Sequence, residues 1–150
     1  MIGRAAALVF AGLLAAGCTT GDAKATNDNP DFTCKLMHAS RSVSSLRGLP
    51  APIRAYLRDK VGPMADRGAF FNAGDVVIKP GPFDRFIRGG QAAGHWFVWY
   101  EHGGFAYWKQ IVIFRIDAKG KAWPSAEAHG GADLCSDTDA LLDRASVGGR

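Results

Sequence analysis

The spacing of apolar residues varies along the chain, and its first clear pattern is helical. Residues 51–61 have apolar side chains at helical spacing with charged residues between them. This stretch predicts a helix with Pro52 in its first turn and Gly62 at its end. Its apolar positions are Ile53, Tyr56, Leu57 and Val61. A weaker stripe within residues 31–47 predicts an earlier helical segment, and its members are Phe32, Leu36, Val43 and Leu46.

After Asn72 the pattern changes from helical spacing to short β-rich runs. Residues 75–81 and residues 84–90 each predict a strand closed by glycine. A tight turn at Lys119-Gly120 predicts a further strand immediately after it. Pro124 lies in that strand and cannot donate a hydrogen bond to a neighbour, so we expect the strand at an edge of the sheet.

The stretch of residues 95–117 is the densest aromatic part of the chain. Gly103-Gly104 divides it and predicts a hairpin with a two-residue loop. In that register Tyr100 faces Tyr107 across the strands. Both faces of this hairpin are apolar, whereas a sheet with one solvated face alternates apolar and polar residues. Something must therefore cover the second face.

The last element is a predicted helix that starts with a capping box formed by Ser136 and Asp139. Leu141, Leu142 and Ala145 follow on one side, and Gly148 ends the helix. The order of elements predicts an α+β domain of N-terminal helices, a four- to five-stranded antiparallel meander and a C-terminal helix. We expect the helices on one face of the sheet.

Three interpretations of the second sheet face remain open. Strand ends and the N-terminal segment could cover it, or it could form an exposed aromatic interaction surface, or it could enclose a ligand pocket. The candidate binding residues are Trp96, Trp99, Tyr100, Tyr107 and Trp108.

The N-terminus has the pattern of an export signal. One basic residue, Arg4, precedes the uncharged apolar run of residues 5–16, and that run is too short for an ordinary membrane-spanning helix. The run ends in Ala-Ala-Gly-Cys, which resembles the lipobox of bacterial lipoproteins, although Ala15 stands where that family usually has Leu. The resemblance implies cleavage after residue 17 and acylation of Cys18.

The resemblance also implies a location. Several acyl chains on Cys18 would hold the protein at a membrane stably. In Gram-negative members an Asp after the lipidated Cys retains the protein in the inner membrane. Residue 19 is Thr here, so we expect the outer membrane, with the domain facing the periplasm.

These expectations divide the chain into a signal peptide at 1–17, a flexible tether at 18–31 and one domain at 32–150. The tether is polar and rich in turn-forming residues, so it cannot bury enough surface to order itself. If Cys18 bears lipid, Cys34 and Cys135 remain, and the oxidising compartment favours a disulfide between them. Two buried free thiols are the alternative.

Charge and motifs exclude several function classes. Loss of Arg4 with the signal lowers the formal net charge from +4 to +3, and no run of basic residues predicts nucleic-acid binding. His95, Glu101 and His102 lie close in sequence, but strand geometry separates them, so we expect no catalytic residues, no metal and no cofactor. The expected role is a non-catalytic envelope module that contacts the membrane through its lipid and binds a protein partner. A small enzyme or hydrophobic-ligand carrier with a pocket near the hairpin is the alternative, and a purely structural lipoprotein is a third.

Overall fold

The computed structural model describes residues 34–38 and 40–147. The predicted signal peptide, Cys18, the tether, Phe32 and Gly148 lie outside these residues. The elements are strands β1 (Ser40–Val43), β2 (Met64–Ala65), β3 (Asp84–Ala92), β4 (His95–His102), β5 (Trp108–Ile116) and β6 (Ala122–Gly130), with helices α1 (Ala51–Lys60) and α2 (Leu134–Val147). The fold is α+β and rich in sheet, as predicted.

One mostly antiparallel sheet organises the domain. Strands β3, β4, β5 and β6 follow one another as an antiparallel meander, which agrees in part with the predicted meander, whose first strand at residues 75–81 is absent. Strand β1 pairs antiparallel with the end of β3, and β2 pairs parallel with its start. Both lie along the outer edge of β3. Strand β6 forms the opposite edge, where Pro124 is tolerated because it has no neighbour on that side.

The two helices lie on opposite faces of the sheet, so the expectation of helices on one face is wrong. Helix α1 packs its buried Ile53 and Leu57 on one apolar cluster, and α2 packs on another. Members of the α1 cluster include Phe86, Val98, Val112 and Phe114. Members of the α2 cluster include Phe97, Trp99, Ile111 and Ile113. Each face is covered by its own helix because side chains alternate along β4 and β5.

The predicted helical segment within residues 31–47 is also wrong. Residues 40–43 form β1, and a short 3-10 turn follows at Leu46–Gly48. Leu36 packs in the α2 cluster, whereas Val43 and Leu46 pack against the α1 cluster. The stripe seen in the sequence therefore divides between the two faces, because the chain crosses the sheet edge between these residues.

The hairpin between β4 and β5 has a five-residue loop, residues 103–107, instead of the predicted two-residue loop. His102 pairs with Trp108, and Tyr100 pairs with Gln110 instead of Tyr107. The register is shifted by three positions, and an odd shift moves every side chain of one strand to the other face. Ile111 and Ile113 consequently share a face with Phe97 and Trp99, contrary to the prediction.

The tightest turn of the meander lies between β3 and β4 and was not predicted. Ala92 pairs with His95, which leaves Ala93 and Gly94 as a two-residue loop. Both have positive φ, at 49° and 75°, as a type I′ turn requires. Ala93 is the one non-glycine residue with positive φ among the described residues.

Helix α2 begins earlier than the capping box predicted. Asp133 Oδ1 accepts hydrogen bonds from the backbone N–H groups of Cys135 and Ser136 at 3.0 and 3.2 Å, so Asp133 is the N-cap. Cys135 therefore lies in the first turn of the helix. It is joined to Cys34, with a Cα–Cα distance of 6.1 Å, so the predicted cysteine pairing agrees with the structure.

The N-terminal segment follows α2 beyond the disulfide. The Met37 N–H donates to Asp139 Oδ2 at 2.8 Å, and Arg88 Nη1 donates to the Cys34 carbonyl oxygen at 2.8 Å. These contacts hold the start of the domain against the helix and against β3.

Replacing Ala93 by glycine should stabilise the protein. An L-residue in the left-handed region costs roughly 1–2 kcal/mol, and glycine removes that strain at some entropic cost. We expect Ala93→Gly to raise the free energy of unfolding by about 0.5–1 kcal/mol in urea titrations. Ala118→Gly is the control, because Ala118 lies in an exposed turn without positive φ and should become less stable.

Gly103→Val should destabilise the domain, although not through a positive φ as the two-residue loop implied. Gly104 has positive φ, at 94°, whereas Gly103 does not. A Cβ on Gly103 would instead overlap the backbone of Asn72 and Ala73, and such overpacking costs about 1–3 kcal/mol or more. Gly74→Val in the adjoining loop is the control, because nothing lies within 4 Å of its Cβ position. Equal melting temperatures for the two variants would contradict this packing.

Candidate functional site

Exposed apolar side chains concentrate at one end of the sheet, where β3 and β5 begin and β4 ends. Two loops, residues 70–83 and residues 103–107, meet there, and we call this region the loop end. Among the described residues ten large apolar side chains are exposed, and seven of them belong to these loops. The seven are Phe70, Val76, Val77, Ile78, Phe83, Phe105 and Tyr107. Large exposed apolar groups of this kind mark binding surfaces more often than single scattered residues do.

The predicted strand at residues 75–81 is absent, and this stretch is the exposed part of the first loop. Val76 is 71% exposed and Ile78 is 81% exposed. The apolar run thus has no buried face, which is why its β-rich composition misled the prediction. No packed layer remains for it, because both faces of the sheet already have their helices.

The base of this loop is fixed by Asn72, which is only 3% exposed. Its side-chain Nδ2 donates to the carbonyl oxygens of Lys79 at 3.2 Å and Gly81 at 3.1 Å. Its backbone N–H donates to the Pro82 carbonyl oxygen at 2.9 Å. The Gly103 N–H donates to the Phe83 carbonyl oxygen at 2.7 Å, so the two loops are bonded to each other. The exposed apolar residues 76–78 therefore project from a loop whose two ends, the closed base, are held together by these hydrogen bonds.

A cleft of about 700 Å³ opens between the loops on the α1 face. Its walls are mostly apolar, and its lining residues are Val61, Pro63, Gly81, Pro82, Phe83, Asp84, His102, Gly103, Gly104 and Phe105. The volume is within the range of small-molecule sites. None of these ten residues has a hydroxyl or thiol group, so the lining holds no serine, threonine or cysteine nucleophile.

A hydrogen-bonded pair of side chains is the polar feature of the cleft. His102 Nδ1–H donates to Asp84 Oδ1 at 2.8 Å, and strand pairing places the two residues opposite each other. Because the carboxylate can only accept, the bonded proton lies on Nδ1, and Nε2 is an acceptor when the ring carries no second proton. A ligand hydroxyl or N–H group entering the cleft could donate to it.

A stack of aromatic rings continues from His102 across the neighbouring strands of the sheet. The His102 ring stacks on Trp108 with a centroid distance of 4.0 Å, and Trp108 stacks on His129 at 5.8 Å. The stack holds the His102 ring in a single orientation against β5 and β6. It also separates the two imidazoles, so they do not converge as metal ligands must.

On the opposite face of the same strand ends, a charged pair holds the loop end to the sheet. Arg85 Nε donates to Glu101 Oε1 at 2.6 Å, and Tyr107 OH donates to Glu101 Oε2 at 2.7 Å. The Arg85 guanidinium also lies 4.2 Å from the centroid of the Phe71 ring. Glu101 is thus fully engaged, and its contacts fix the start of β5 and the first loop.

Tyr100 lies two residues before His102 on the α1 face. Burial, together with the nearby carboxylates of Asp84 and Glu127, raises the pKa of Tyr100 to about 12. The phenol is therefore neutral across the physiological range.

The candidate binding residues are not brought together into one surface. Trp99 is fully buried, and its indole N–H donates to Thr138 Oγ1 at 2.8 Å. Trp96 and Tyr100 pack against the α1 cluster. Only Tyr107, at 52%, is largely exposed, and Trp108 is half-buried in the stack. Side chains alternate along β4, which places Trp99 on the face opposite to Trp96 and Tyr100. The odd register shift places Trp108 on the face of Tyr100 instead of the face of Trp99.

The ionisable residues found in the sequence are separated as the strand geometry requires. His95 lies at the far end of β4 with Nδ1 2.9 Å from the Ala93 carbonyl oxygen. Glu101 and His102 point to opposite faces. Among described residues, potential ligand atoms of Cys34, Asp133 and Cys135 lie within 4.8 Å, but the two sulfurs are bonded to each other and offer no thiolate.

The cleft residues that sequence reasoning missed are Phe83, Phe105 and Asp84. The sequence predicts Asp84 only as the start of a strand, because its pairing with His102 depends on the register between β3 and β4. Phe105 directly follows Gly103-Gly104 in the sequence, which indicates a loop position. The predicted two-residue loop instead places Phe105 inside the following strand.

No protein-family model, curated protein or solved structure matches this chain. Within the described part of the chain, neither helix has the length and apolar character needed to cross a bilayer. The function must therefore be inferred from the loop end itself.

The raised pKa of Tyr100 makes stability fall in alkaline solution. The unfolded chain loses the phenol proton near pH 10, whereas the folded protein holds it until about pH 12, so unfolding becomes easier between these values. We expect the wild type to lose at most about 2 kcal/mol more than Tyr100→Phe over this window. Urea titrations at several pH values measure it, and parallel curves for the two proteins would contradict the burial of this hydroxyl.

Proposed function

We propose that this protein is an exported, lipid-anchored binding module of the bacterial envelope, and that the cleft at the loop end is its binding site. The concentration of seven of the ten exposed large apolar side chains in the two loops is the observation that carries the proposal. The lipobox-like sequence at Cys18 supports the anchoring, and the Cys34–Cys135 pair suits an oxidising compartment.

The chemistry of the cleft supports an apolar ligand with one hydrogen-bond donor. Phe83 and Phe105 line the cleft, and Phe105 is 96% exposed, so it has much apolar area to bury. A single buried Phe contributes about 1.5–3 kcal/mol, which is enough to dominate binding of a small ligand. His102 Nε2 would fix the orientation of that ligand. An acyl group or an apolar peptide side chain would fit this description.

The Asp84–His102 pair is also the observation that favours the alternative of a small enzyme. Its geometry is that of a carboxylate orienting an imidazole base. Because the lining has no serine, threonine or cysteine, the imidazole of such an enzyme would activate a water molecule. The binding function requires no such step and uses the same contacts.

A neutral apolar fluorophore tests the binding site. N-phenyl-1-naphthylamine should bind the wild-type protein saturably, and Phe105→Ser should weaken binding about tenfold because the ring no longer covers the probe. Trp123→Ser is the matched control, since Trp123 is a partly exposed aromatic residue at the other end of the sheet. Circular dichroism verifies that both variants fold.

Two results would overturn the proposed site. One is the absence of saturable binding by the wild type, and the other is an equal loss of affinity in both variants. His102→Gln separates the alternatives further. It should change affinity only for probes that bear a hydroxyl or N–H group, whereas loss of a hydrolytic activity in this variant would favour the enzyme.

A further inference from the structure

We infer that the loop end contacts the surface of a lipid bilayer, with the tips at Val76–Ile78 and Phe105 inserted among the lipid headgroups. The inference rests on the proposed lipid anchoring for its orientation. It goes beyond that anchoring because it assigns a second, protein-borne contact with the membrane.

The tips have the chemistry of an interfacial contact. Val76, Val77, Ile78 and Phe105 are between 55% and 96% exposed, and none of the other described residues covers them. The two loops contain only one acid, Asp75, and one base, Lys79, so no net charge opposes their burial. Transfer of such apolar side chains into the headgroup region is favourable, and the gain scales with the buried apolar area.

Lys79 and Phe70 form the boundary of the tips. The ammonium group of Lys79 lies 4.1 Å from the centroid of the Phe70 ring. A lysine beside an aromatic ring suits the level of lipid phosphates, because its charge stays in the polar layer while its alkyl chain covers apolar surface. Because Asn72 holds the two ends of the first loop together, the tips can insert into the headgroup region without unfolding of that loop.

The position where the described chain begins favours a bilayer over other occupants. Strand β6 ends at the loop end, where Gly130 pairs with Lys109, and α2 starts four residues later. Cys34 is bonded to Cys135 in the first turn of α2, so the chain that leads to Cys18 leaves the domain near the loop end.

The length of chain between Cys18 and Cys34 limits how far the domain can lie from the proposed lipid anchor. Cys18 precedes Cys34 by 16 positions, and a chain of that length spans at most about 55 Å when fully extended. Lipid on Cys18 therefore keeps the loop end within reach of the bilayer, at a high effective concentration. The opposite end of the sheet, with Ala93-Gly94 and the end of α2, lies farther from this attachment.

Site-directed fluorescence on the intact, natively processed protein tests the inference. An environment-sensitive fluorophore is attached to Ile78→Cys, to Phe105→Cys, and to the control Val147→Cys. Val147 is 70% exposed and lies at the end of α2 remote from the loop end. The protein is reconstituted on vesicles of phosphatidylethanolamine and phosphatidylglycerol that contain nitroxide-labelled lipids.

We expect the labels at 78 and 105 to be quenched at least fivefold more strongly by the nitroxide lipids than the label at 147. Aqueous iodide should give the opposite order. Because the tips are uncharged overall, raising the salt concentration should leave both orders unchanged. Light scattering and circular dichroism on the labelled proteins verify that they remain folded monomers in detergent.

The other outcomes overturn the inference in distinguishable ways. If the protein floats with the vesicles while the labels at 78 and 105 stay open to iodide, the loop contact is absent but the anchoring stands. If those labels are shielded from both quenchers and the mass in detergent is doubled, a second copy covers the loops instead. If the protein does not float and mass spectrometry finds Cys18 unmodified, both the loop contact and the proposed anchoring fail.

Discussion

Strands β4 and β5 bury large apolar side chains on both faces of the sheet, and the rest of the structure depends on this constraint. Phe97 and Trp99 need cover on one face, while Val98 and Phe114 need it on the other. One helix cannot serve both faces, so α1 and α2 lie on opposite sides. The Cys34–Cys135 bond then fixes the N-terminal segment to α2, which helps to keep Leu36 in the core.

Within the described residues, the same arrangement leaves the loop end without a covering layer. The two helices occupy the faces, while β1 and β2 line one edge of the sheet. Residues 70–83 and 103–107 therefore project beyond the strands with seven large apolar side chains exposed. Hydrogen bonds from Asn72, together with the contacts of Glu101, hold these loops in place. A rigid base with an apolar tip is suited to binding, because little conformational freedom is lost when the tip is covered.

The proposed ligand site and the proposed membrane contact lie at one end of the domain. The cleft offers apolar walls with a single oriented imidazole, and the tips offer uncharged apolar side chains. A protein whose anchor, binding cleft and apolar tips lie at the same end would meet its ligand at the membrane surface. This arrangement unites the proposed ligand chemistry, an acyl group or apolar peptide side chain, with the place where such groups are concentrated.

The sequence by itself determined the local elements: the periodic residues of α1, the meander from β3 to β6, the edge position of Pro124 and the pairing of the two remaining cysteines. These follow from side-chain spacing, turn residues and cysteine count. Tertiary structure alone decided the register between β4 and β5, the sheet face on which each helix lies and the exposed loop conformation of residues 75–81. Gly103 and Gly104 are compatible with a two-residue loop and also with a five-residue loop. Only the packing of side chains on both faces of the sheet selects between these two loops. The Asp84–His102 pair depends on the register between β3 and β4, and the cleft depends on the contacts between the loops, so neither could be found from the sequence.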